Sequence, residues 1–252
     1  MNSEEIRKWR PARFCDFVGA TNQRRIARVQ RLLRRGRLPS PLLLVGIFGY
    51  GKTSLARLLF RSLCCEDRDP STSDPCNVCQ QCVCTGRLYQ GYGNPYRRYE
   101  YDCTSMSRSE LIQTLREDLD DNRFDKPAIF MDELHHFHEK RMQEPLLKFV
   151  EDFHGIFVAA IMEDRLEEVI PPLRERFETL HLVPPSSDEI SKFFEQKMRE
   201  WDILSQPGVI PHMVSQSGTS FRICQKIIAA AAEEEDRTLS AELVDDMLGL
   251  AV

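Results

Sequence analysis

Long apolar runs are missing from this 252-residue chain. No stretch approaches the roughly 20 consecutive apolar residues that a membrane-spanning helix needs, which argues against an integral membrane protein of the helical type. The N-terminal segment, residues 1–13, is polar and charged and does not fit a secretory signal. We therefore expect a protein that stays where it is made, most simply in the cytoplasm, with no membrane partner.

Internal repeats and long low-complexity linkers are also lacking, and the length suits one large domain or two smaller ones. The net charge of −5 is spread unevenly. Residues 1–40 hold eleven Lys/Arg and three Asp/Glu, whereas residues 186–252 hold six Lys/Arg and twelve Asp/Glu. This asymmetry allows a nucleic-acid-facing N-terminal surface, and it equally allows head-to-tail contact between subunits.

A glycine-rich segment directly follows the apolar run Leu42–Val45. Residues 46–53 read Gly-Ile-Phe-Gly-Tyr-Gly-Lys-Thr and have the spacing G-x-x-x-x-G-K-[ST]. A buried strand that turns through glycines into a helix points several backbone N–H groups at one place, which suits phosphate oxygens. We expect Lys52 to reach the β- and γ-phosphates of a nucleoside triphosphate and Thr53 to help hold Mg²⁺.

Five short apolar runs alternate with helical patterns up to about residue 184, which predicts an α/β fold with a mostly parallel five-stranded sheet. These runs are Leu42–Val45, Tyr99–Cys103, Ala128–Met131, Ile156–Ile161 and Thr179–Leu182. After Pro184-Pro185 the pattern becomes helical, with predicted helices from Ser186 or Ser187 to about Trp201, at about 220–235 and at about 240–250. The sequence predicts an α/β domain over 1–184 and a small all-helical domain over 185–252.

The predicted strand Ala128–Met131 ends in two carboxylates, Asp132 and Glu133. A carboxylate at such a strand end can hold the metal through a water, and its neighbour can polarise the attacking water. We assign Asp132 to Mg²⁺ and Glu133 to the catalytic base. The position of the pair, some eighty residues after the phosphate loop, favours this assignment over a chance acidic loop.

Six of the nine cysteines lie between Cys64 and Cys84. Two successive Cys-x-x-Cys steps, at Cys76, Cys79 and Cys82, together with Cys65 supply four thiols for one tetrahedral Zn²⁺. Four protein ligands leave no open position, so we expect structural zinc in a module at about 64–85. Cys64 or Cys84 could replace one of these ligands, and the alternative is a set of unliganded surface thiols.

The chain resembles the clamp-loader AAA+ ATPases, in particular the gamma/tau subunit family of bacterial DNA polymerase III. The likeness covers roughly residues 8–240 and rests on an entry segment, the phosphate loop, the Asp132–His135 motif and residues 146–151; the entry segment is Lys8–Pro11 with Phe14–Gly19. The resemblance implies that Val18 lies near the adenine and that the helical domain forms a lid over the nucleotide. The family also carries a zinc module at the position of the cysteine cluster.

The resemblance further implies roles for three arginines and reveals one departure. Arg222 matches the sensor-2 arginine that touches the γ-phosphate, while Arg176, and second Arg174, match the arginine finger that acts on a neighbouring subunit. A finger has meaning only in an oligomer. Where the family has a polar sensor-1 residue, this chain has Met162-Glu163-Asp164, and an anion there would disfavour hydrolysis unless Glu163 points elsewhere.

These features predict an ATP-dependent clamp-loader-like subunit that acts with DNA in a homo- or hetero-oligomer, with a sliding clamp or polymerase subunits as further partners. From the resemblance we would expect a further C-terminal collar domain, for which the 252 residues leave no room. The alternatives are an AAA+ regulator of a mobile-element, phage or defence system and a nucleotide-binding scaffold with little hydrolysis. The predicted nucleotide-binding residues are Val18, Gly46, Gly49, Tyr50, Gly51, Lys52, Thr53, Ser54, Asp132 and Arg222.

A predicted helix near the N-terminus carries arginines on one face. Arg24, Arg28, Arg31 and Arg35 recur at three- and four-residue spacing, and Ile26, Val29 and Leu33 fall on another face. Such a basic face could follow a nucleic-acid backbone. The alternative is a simple solvated face.

Overall fold

The structure is a computed structural model that describes residues 3–38, 40–83, 96–105, 107, 109–113, 126–137 and 140–250. These residues form two compact units. The α/β unit comprises Pro11–Asp16 and Arg24–Leu182, and the helical unit comprises Met1–Arg10, Phe17–Gln23 and Val183–Val252. No helix of the described residues is long and apolar enough to cross a membrane.

Five parallel strands form the sheet of the α/β unit, in the spatial order β2-β3-β4-β1-β5. The strands are β1 (Leu42–Gly46), β2 (Tyr96–Asp102), β3 (Lys126–Asp132), β4 (Ile156–Ile161) and β5 (Glu178–Leu182). Every residue of the interior strand β1 is buried, as expected for a parallel strand covered on both faces. Because parallel strands share one carboxyl edge, the phosphate loop and the acid pair emerge on the same side.

The core of the α/β unit consists of aliphatic and aromatic side chains from the sheet and from some of the helices, among them α5 and α6. The helices of this unit are α2 (Ala20–Arg34), which begins in the helical unit, α3 (Lys52–Cys64), α4 (Gln80–Val83), α5 (Lys140–Asp152) and α6 (Pro171–Arg176). Short 3-10 turns occupy Phe14–Asp16, Leu134–Phe137 and Glu163–Glu168. The apolar spacing of α3 buries Leu55, Leu58 and Leu59, which fixes the helix that leaves the phosphate loop.

The helical unit has its own apolar core, which includes Ile6, Phe194 and Trp201. Its helices are α1 (Ser3–Lys8), α7 (Ser187–Glu200), α8 (Val209–Gln216), α9 (Phe221–Ala231) and α10 (Ala241–Leu248). A two-residue parallel ladder joins β6 (Leu204–Ser205) to β7 (Thr238–Leu239). The predicted all-helical region therefore also contains one short strand pair.

The predicted fold class is confirmed: a parallel five-stranded α/β sheet, a cysteine-rich insertion and a helical C-terminal region. Helix α7 begins after Ser186, whose hydroxyl accepts from the Glu189 backbone while the Glu189 carboxylate accepts from the Ser186 backbone. The predicted domain boundary after residue 184 stays a prediction. The sequence did not indicate that the N-terminal α1 would belong to the helical unit, nor that α8 would form.

Candidate functional site

The predicted phosphate loop runs from the end of β1 into the first turn of α3. Lys52, only 5% exposed, folds back so that its Nζ donates to the carbonyl oxygens of Gly46 (2.8 Å) and Ile47 (3.1 Å). Gly51 precedes the helix with a φ of 93°, a left-handed backbone conformation that residues other than glycine rarely adopt. The loop thus curls around a lysine ammonium group at a helix N-terminus, the arrangement that suits an anion.

Gly46 lies against the backbone of the neighbouring strand β5. A Cβ atom at this position would come within 2.5 Å of the carbonyl oxygen of Leu182. Real Cβ atoms do not approach a backbone oxygen so closely, so this glycine is needed for packing. The residue therefore fixes how β1 enters the loop, in addition to any contact with a ligand.

The acid pair lies beside the first turn of α3. The Thr53 hydroxyl donates to Oδ2 of Asp132 at 2.7 Å, and the Glu133 backbone N–H donates to Oδ1 of Asp132 at 3.1 Å. Glu133 itself has a φ of 56°, which is uncommon for a residue with a side chain and turns the chain sharply after β3. The Thr53 hydroxyl oxygen and the Asp132 carboxylate oxygen therefore lie side by side, and oxygens of this kind are suitable ligands for a hard cation such as Mg²⁺.

The electrostatics of the pair follow from burial. Burial raises the pKa of Asp132, and the Thr53 hydroxyl bond opposes that rise. Burial, followed by repulsion from Asp132, raises the pKa of Glu133. A carboxylate with a raised pKa is a better proton acceptor, which fits the assignment of Glu133 as a base.

Met162, at the carboxyl end of β4, faces the phosphate-loop lysine. Its Sδ lies 4.0 Å from Nζ of Lys52, whereas Glu163 Oε1 lies 4.0 Å from Nδ1 of His181. The sequence indicated that residues 162–164 depart from the family's polar residue, but not that the Met162 thioether would face the ammonium group. No sequence signal gives that side-chain direction, because it depends on where Lys52 folds.

Both candidate finger arginines are ion-paired within the α/β unit. Arg174 Nη1 lies 2.8 Å from Oε1 of Glu167, and Arg176 pairs with Glu151 and also donates to the Pro172 carbonyl oxygen at 2.7 Å. Each arginine side chain is about one-third exposed, 31% for Arg174 and 37% for Arg176. Both arginines therefore lie near the surface, at the end of α6.

The remaining predicted nucleotide residues lie in different parts of the chain. Tyr50 and Ser54 lie in the loop and in the first turn of α3, and Gly49 has a φ of 87°. In the helical unit, the Val18 carbonyl oxygen accepts from the buried amide of Asn22 at 3.0 Å. Arg222 is exposed in the first turn of α9. Their predicted roles stay predictions.

The four predicted zinc ligands come together in the α/β unit. The Sγ atoms of Cys65, Cys76, Cys79 and Cys82 all lie within 4.8 Å of one another. The Cys76–Cys82 separation is 3.9 Å, and sulfurs bound at about 2.3 Å to one tetrahedral Zn²⁺ would lie roughly 3.8 Å apart. The set therefore fits structural zinc.

Backbone N–H groups support these sulfurs. The Cys76 N–H donates to Cys65 Sγ at 3.2 Å, and the Cys79 N–H donates to Cys76 Sγ at 3.3 Å. Backbone donors at Val78 and Cys79 lower the pKa of Cys76 to about 7, which favours the thiolate that binds a metal. Cys64 is buried outside this group, and Cys84, with the rest of the predicted module to residue 85, lies outside the described residues.

Comparison with known proteins places this architecture in a family. The family model described as DNA polymerase III, delta subunit, matches residues 21–186, which include the whole sheet and the cysteine cluster. The chain belongs to this family. It is a clamp-loader-type AAA+ protein, as the sequence motifs predicted.

Curated relatives agree with this family. The chain is 30% identical over 242 residues to the DNA polymerase III subunit gamma/tau of Mycobacterium bovis, covering 90% of this chain and 39% of the relative. It is 28% identical to the tau subunit of Escherichia coli, covering 96% of this chain and 36% of the relative. The chain thus spans about two fifths of the length of these clamp-loader-family relatives.

A solved structure shares the fold. The Holliday junction branch migration motor RuvB of Thermotoga maritima superposes with a TM-score of 0.62 and 15% identity, covering 96% of this chain and 72% of that protein. At this identity the likeness concerns the AAA+ fold alone.

Proposed function

We propose that this chain binds ATP with Mg²⁺ and hydrolyses it as one subunit of a DNA-associated oligomer, in DNA replication or a related transaction. The observation that carries the proposal is the meeting of Thr53 and Asp132 at 2.7 Å, beside the phosphate-loop lysine and directly before Glu133. Membership of the clamp-loader family supports the same reaction. We propose a cytoplasmic location on the same grounds.

The chain's own residues divide the work. Lys52 binds the β- and γ-phosphates, after its ammonium group exchanges the carbonyl oxygens of Gly46 and Ile47 for phosphate oxygens. Glu133 accepts a proton from the attacking water. Thr53 and Asp132 would hold Mg²⁺, which when bound neutralises phosphate charge. Val18 and Arg222 are proposed for the adenine and the γ-phosphate, and Cys65, Cys76, Cys79 and Cys82 for structural zinc.

The oligomer is needed because Arg176, or as the second choice Arg174, is proposed to act on the nucleotide of a neighbouring subunit. Each is held by a glutamate of its own chain, Glu151 or Glu167, so engagement with a neighbour's nucleotide requires the guanidinium to change partners. Exposed pairs of this kind are weak, typically below about 1 kcal/mol, so the exchange costs little.

One observation favours a slow variant of this function. The atom near the lysine ammonium at the end of β4 is the Met162 thioether, which is at most a weak acceptor and donates no hydrogen bond to a water or a phosphate oxygen. We therefore propose slow turnover, which keeps the nucleotide-binding scaffold and the AAA+ regulator as second candidates.

The proposed DNA partner rests on charge. Residues 17–65 contain no Asp or Glu, and Arg31, Arg35 and Arg37 are exposed with no ion pair within the described ranges. If Arg31 and Arg35 contact phosphates, replacing both by Gln lowers the slope of log K against log salt by roughly 0.7–0.9 per contact. Replacement of Lys192, which pairs with Asp188 in the helical unit, is the control and leaves that slope unchanged. An unchanged slope in the double variant would assign α2 a merely solvated face.

The central test is steady-state ATP hydrolysis and calorimetric ATP binding of the purified, zinc-replete protein. Lys52→Ala abolishes binding, whereas Lys148→Ala, on the exposed side of α5, leaves it unchanged. Stimulation by primed DNA together with a sliding clamp supports the clamp-loader function, and stimulation by DNA alone supports the regulator. Binding without turnover supports the scaffold. Absence of ATP binding by the wild-type protein overturns the whole proposal.

A further inference from the structure

One buried nitrogen next to the acid pair has no hydrogen-bond partner within the described part of the chain. Nδ1 of His135 is inaccessible to solvent. Among the described residues, the only other buried side-chain nitrogen or oxygen without a hydrogen-bond partner is Ser73 Oγ, in the cysteine-rich loop. A buried polar atom without a partner costs roughly 1–3 kcal/mol. An unsatisfied buried nitrogen at the edge of a candidate active site suggests that His135 forms a hydrogen bond when the site is in use.

The carboxylate of Glu133 lies beside this nitrogen. Nδ1 of His135 lies 3.4 Å from Oε2 of Glu133, which is long for an N–H···O bond. In structures without substrate, hydrogen bonds among catalytic groups are often long and shorten when the substrate binds. A small rotation of the Glu133 side chain, which is 23% exposed, would therefore close this contact.

His135 is held more firmly than Glu133. It belongs to the 3-10 turn Leu134–Phe137, whose end residues Leu134 and Phe137 are buried in the core. The His136 ring packs on it at 4.5 Å between centroids, and burial lowers the pKa of His135, so the imidazole is neutral near pH 7. A neutral imidazole that carries its proton on Nδ1 is a donor at a fixed position.

We propose that His135 is a positioning residue that holds Oε2 of Glu133 through Nδ1–H and leaves Oε1 free to accept the proton of the attacking water. This inference rests on the proposed ATP hydrolysis. In that reaction the water oxygen bonds to the γ-phosphorus, the bond from that phosphorus to the bridging oxygen of ADP breaks, and the water proton passes to Glu133. His135 takes part in none of these bond changes. It fixes the angle at which the carboxylate meets the water.

Three substitutions test whether His135 acts as a hydrogen-bond donor at a fixed position or only fills space in the core. In His135→Asn the amide nitrogen occupies the position of Nδ1, so kcat stays within about threefold of wild type. In His135→Gln the amide lies one bond further out, and in His135→Leu it is missing, so both lower kcat by about 10- to 100-fold with ATP affinity unchanged. His136→Asn, on the exposed neighbour, is the matched control and keeps wild-type kcat. Equal losses in the Asn and Leu variants would overturn the proposal.

A double substitution asks whether His135 acts through Glu133. In a Glu133→Gln background, His135→Leu should lower the residual rate no further, because the group that it positions has already been replaced. If His135→Leu causes the same fold loss in both backgrounds, the effect is structural and the proposal fails.

A spectroscopic measurement tests the contact without relying on turnover. In ¹⁵N-histidine-labelled protein, the His135 Nδ1 resonance should be that of a protonated nitrogen, and Glu133→Ala should shift it more than the His136 resonances. An unprotonated Nδ1 in the wild type would overturn the inference. If the wild type hydrolyses no ATP but this signature is present, the proposed function fails while the contact stands.

Discussion

Thr53 and Asp132 are 79 positions apart in the sequence, yet the hydroxyl of one donates to the carboxylate of the other at 2.7 Å. The contact joins the first turn of α3 to the end of β3, and both oxygens are of the type that hard cations prefer. The pair therefore links the phosphate loop to the acidic strand end.

Thr53→Val should weaken ATP binding only when Mg²⁺ is present. Valine keeps the shape of threonine but removes the oxygen, so we expect roughly a tenfold or greater loss of affinity with Mg²⁺, about 1.4 kcal/mol or more, and little change in EDTA. Isothermal titration calorimetry in both buffers measures this. Thr53→Ser retains the hydroxyl and is the control. Equal losses with and without Mg²⁺ would show that Thr53 acts through packing.

Cys79→Ser should release the proposed zinc and destabilise the α/β unit. Serine removes one of four thiolates, and metal binding stabilises the folded state because the ligands converge only there. Elemental analysis should give one Zn²⁺ per wild-type chain and much less in the variant, with a lower melting temperature. Cys15→Ser, at an exposed cysteine outside the cluster, should change neither quantity. A wild-type chain purified with zinc supplied but without bound metal would contradict this prediction.

Gly46→Ala should destabilise the protein more than Gly36→Ala, for different reasons. The new methyl at Gly46 meets the Leu182 carbonyl oxygen at 2.5 Å, an overpacking that costs about 1–3 kcal/mol or more. Gly36 has open space around it but a φ of 65°, so alanine there carries only the left-handed penalty of about 1–2 kcal/mol. Denaturant unfolding measures both, and calorimetry should show weaker ATP binding for Gly46→Ala alone. The reverse order of stabilities would refute the close approach.

Gln143→Met should cost roughly 1–3 kcal/mol of unfolding free energy, because it removes the side-chain partner of two partly buried backbone groups. The Gln143 amide, 1% exposed on α5, donates to the Glu168 carbonyl oxygen at 2.8 Å and accepts from the Ile170 N–H at 2.7 Å. Gln196→Met removes only an exposed bond to Glu200 and should change stability by less than about 0.5 kcal/mol. Similar urea midpoints for the two variants would contradict the role given to Gln143.

Glu189 should make the helical unit sensitive to acid. Its carboxylate accepts from the backbone N–H groups of Ala20 (2.8 Å) and Ser186 (2.9 Å), and the first of these bonds is the main cause of its lowered pKa. A carboxyl whose folded pKa is lowered adds stability that is complete above its unfolded pKa of about 4.3 and is lost as pH falls through the folded value. The melting temperature of Glu189→Ala should therefore lie below that of wild type at pH 7, and the difference should shrink as the pH falls below the unfolded pKa. If the difference in melting temperature does not depend on pH, Glu189 stabilises the fold through the packing of its side chain and not through its charge.

The elements that the sequence predicted well are those with a local physical signal. The phosphate loop, the strand β1 and the capped start of α7 each follow from glycine spacing, a continuous apolar run or a serine at a helix start. Helix α9 was predicted to about residue 235 but ends at Ala231. The acidic run Glu233–Glu235 would lie at the negative end of the helix, which opposes further extension.

Elements that depend on distant contacts were harder to predict. Helix α8 follows Pro207-Gly208 and contains Pro211, which resembles a turn in sequence. Pro211 falls in the first turn of the helix, however, where a missing N–H costs nothing. Met162 beside Lys52 and Gln143 below Ile170 depend on side-chain directions across the sheet, which a one-dimensional pattern does not contain.

Helix α3 begins at the lysine of the phosphate loop and is followed at once by Cys65, the first thiol of the cysteine group. The thirteen residues of this helix separate the phosphate-loop lysine from the cysteine group by about 20 Å along the helix axis. A fluorophore or paramagnetic metal placed in the cysteine cluster would thus report, through distance alone, on changes at the phosphate loop without contacting it.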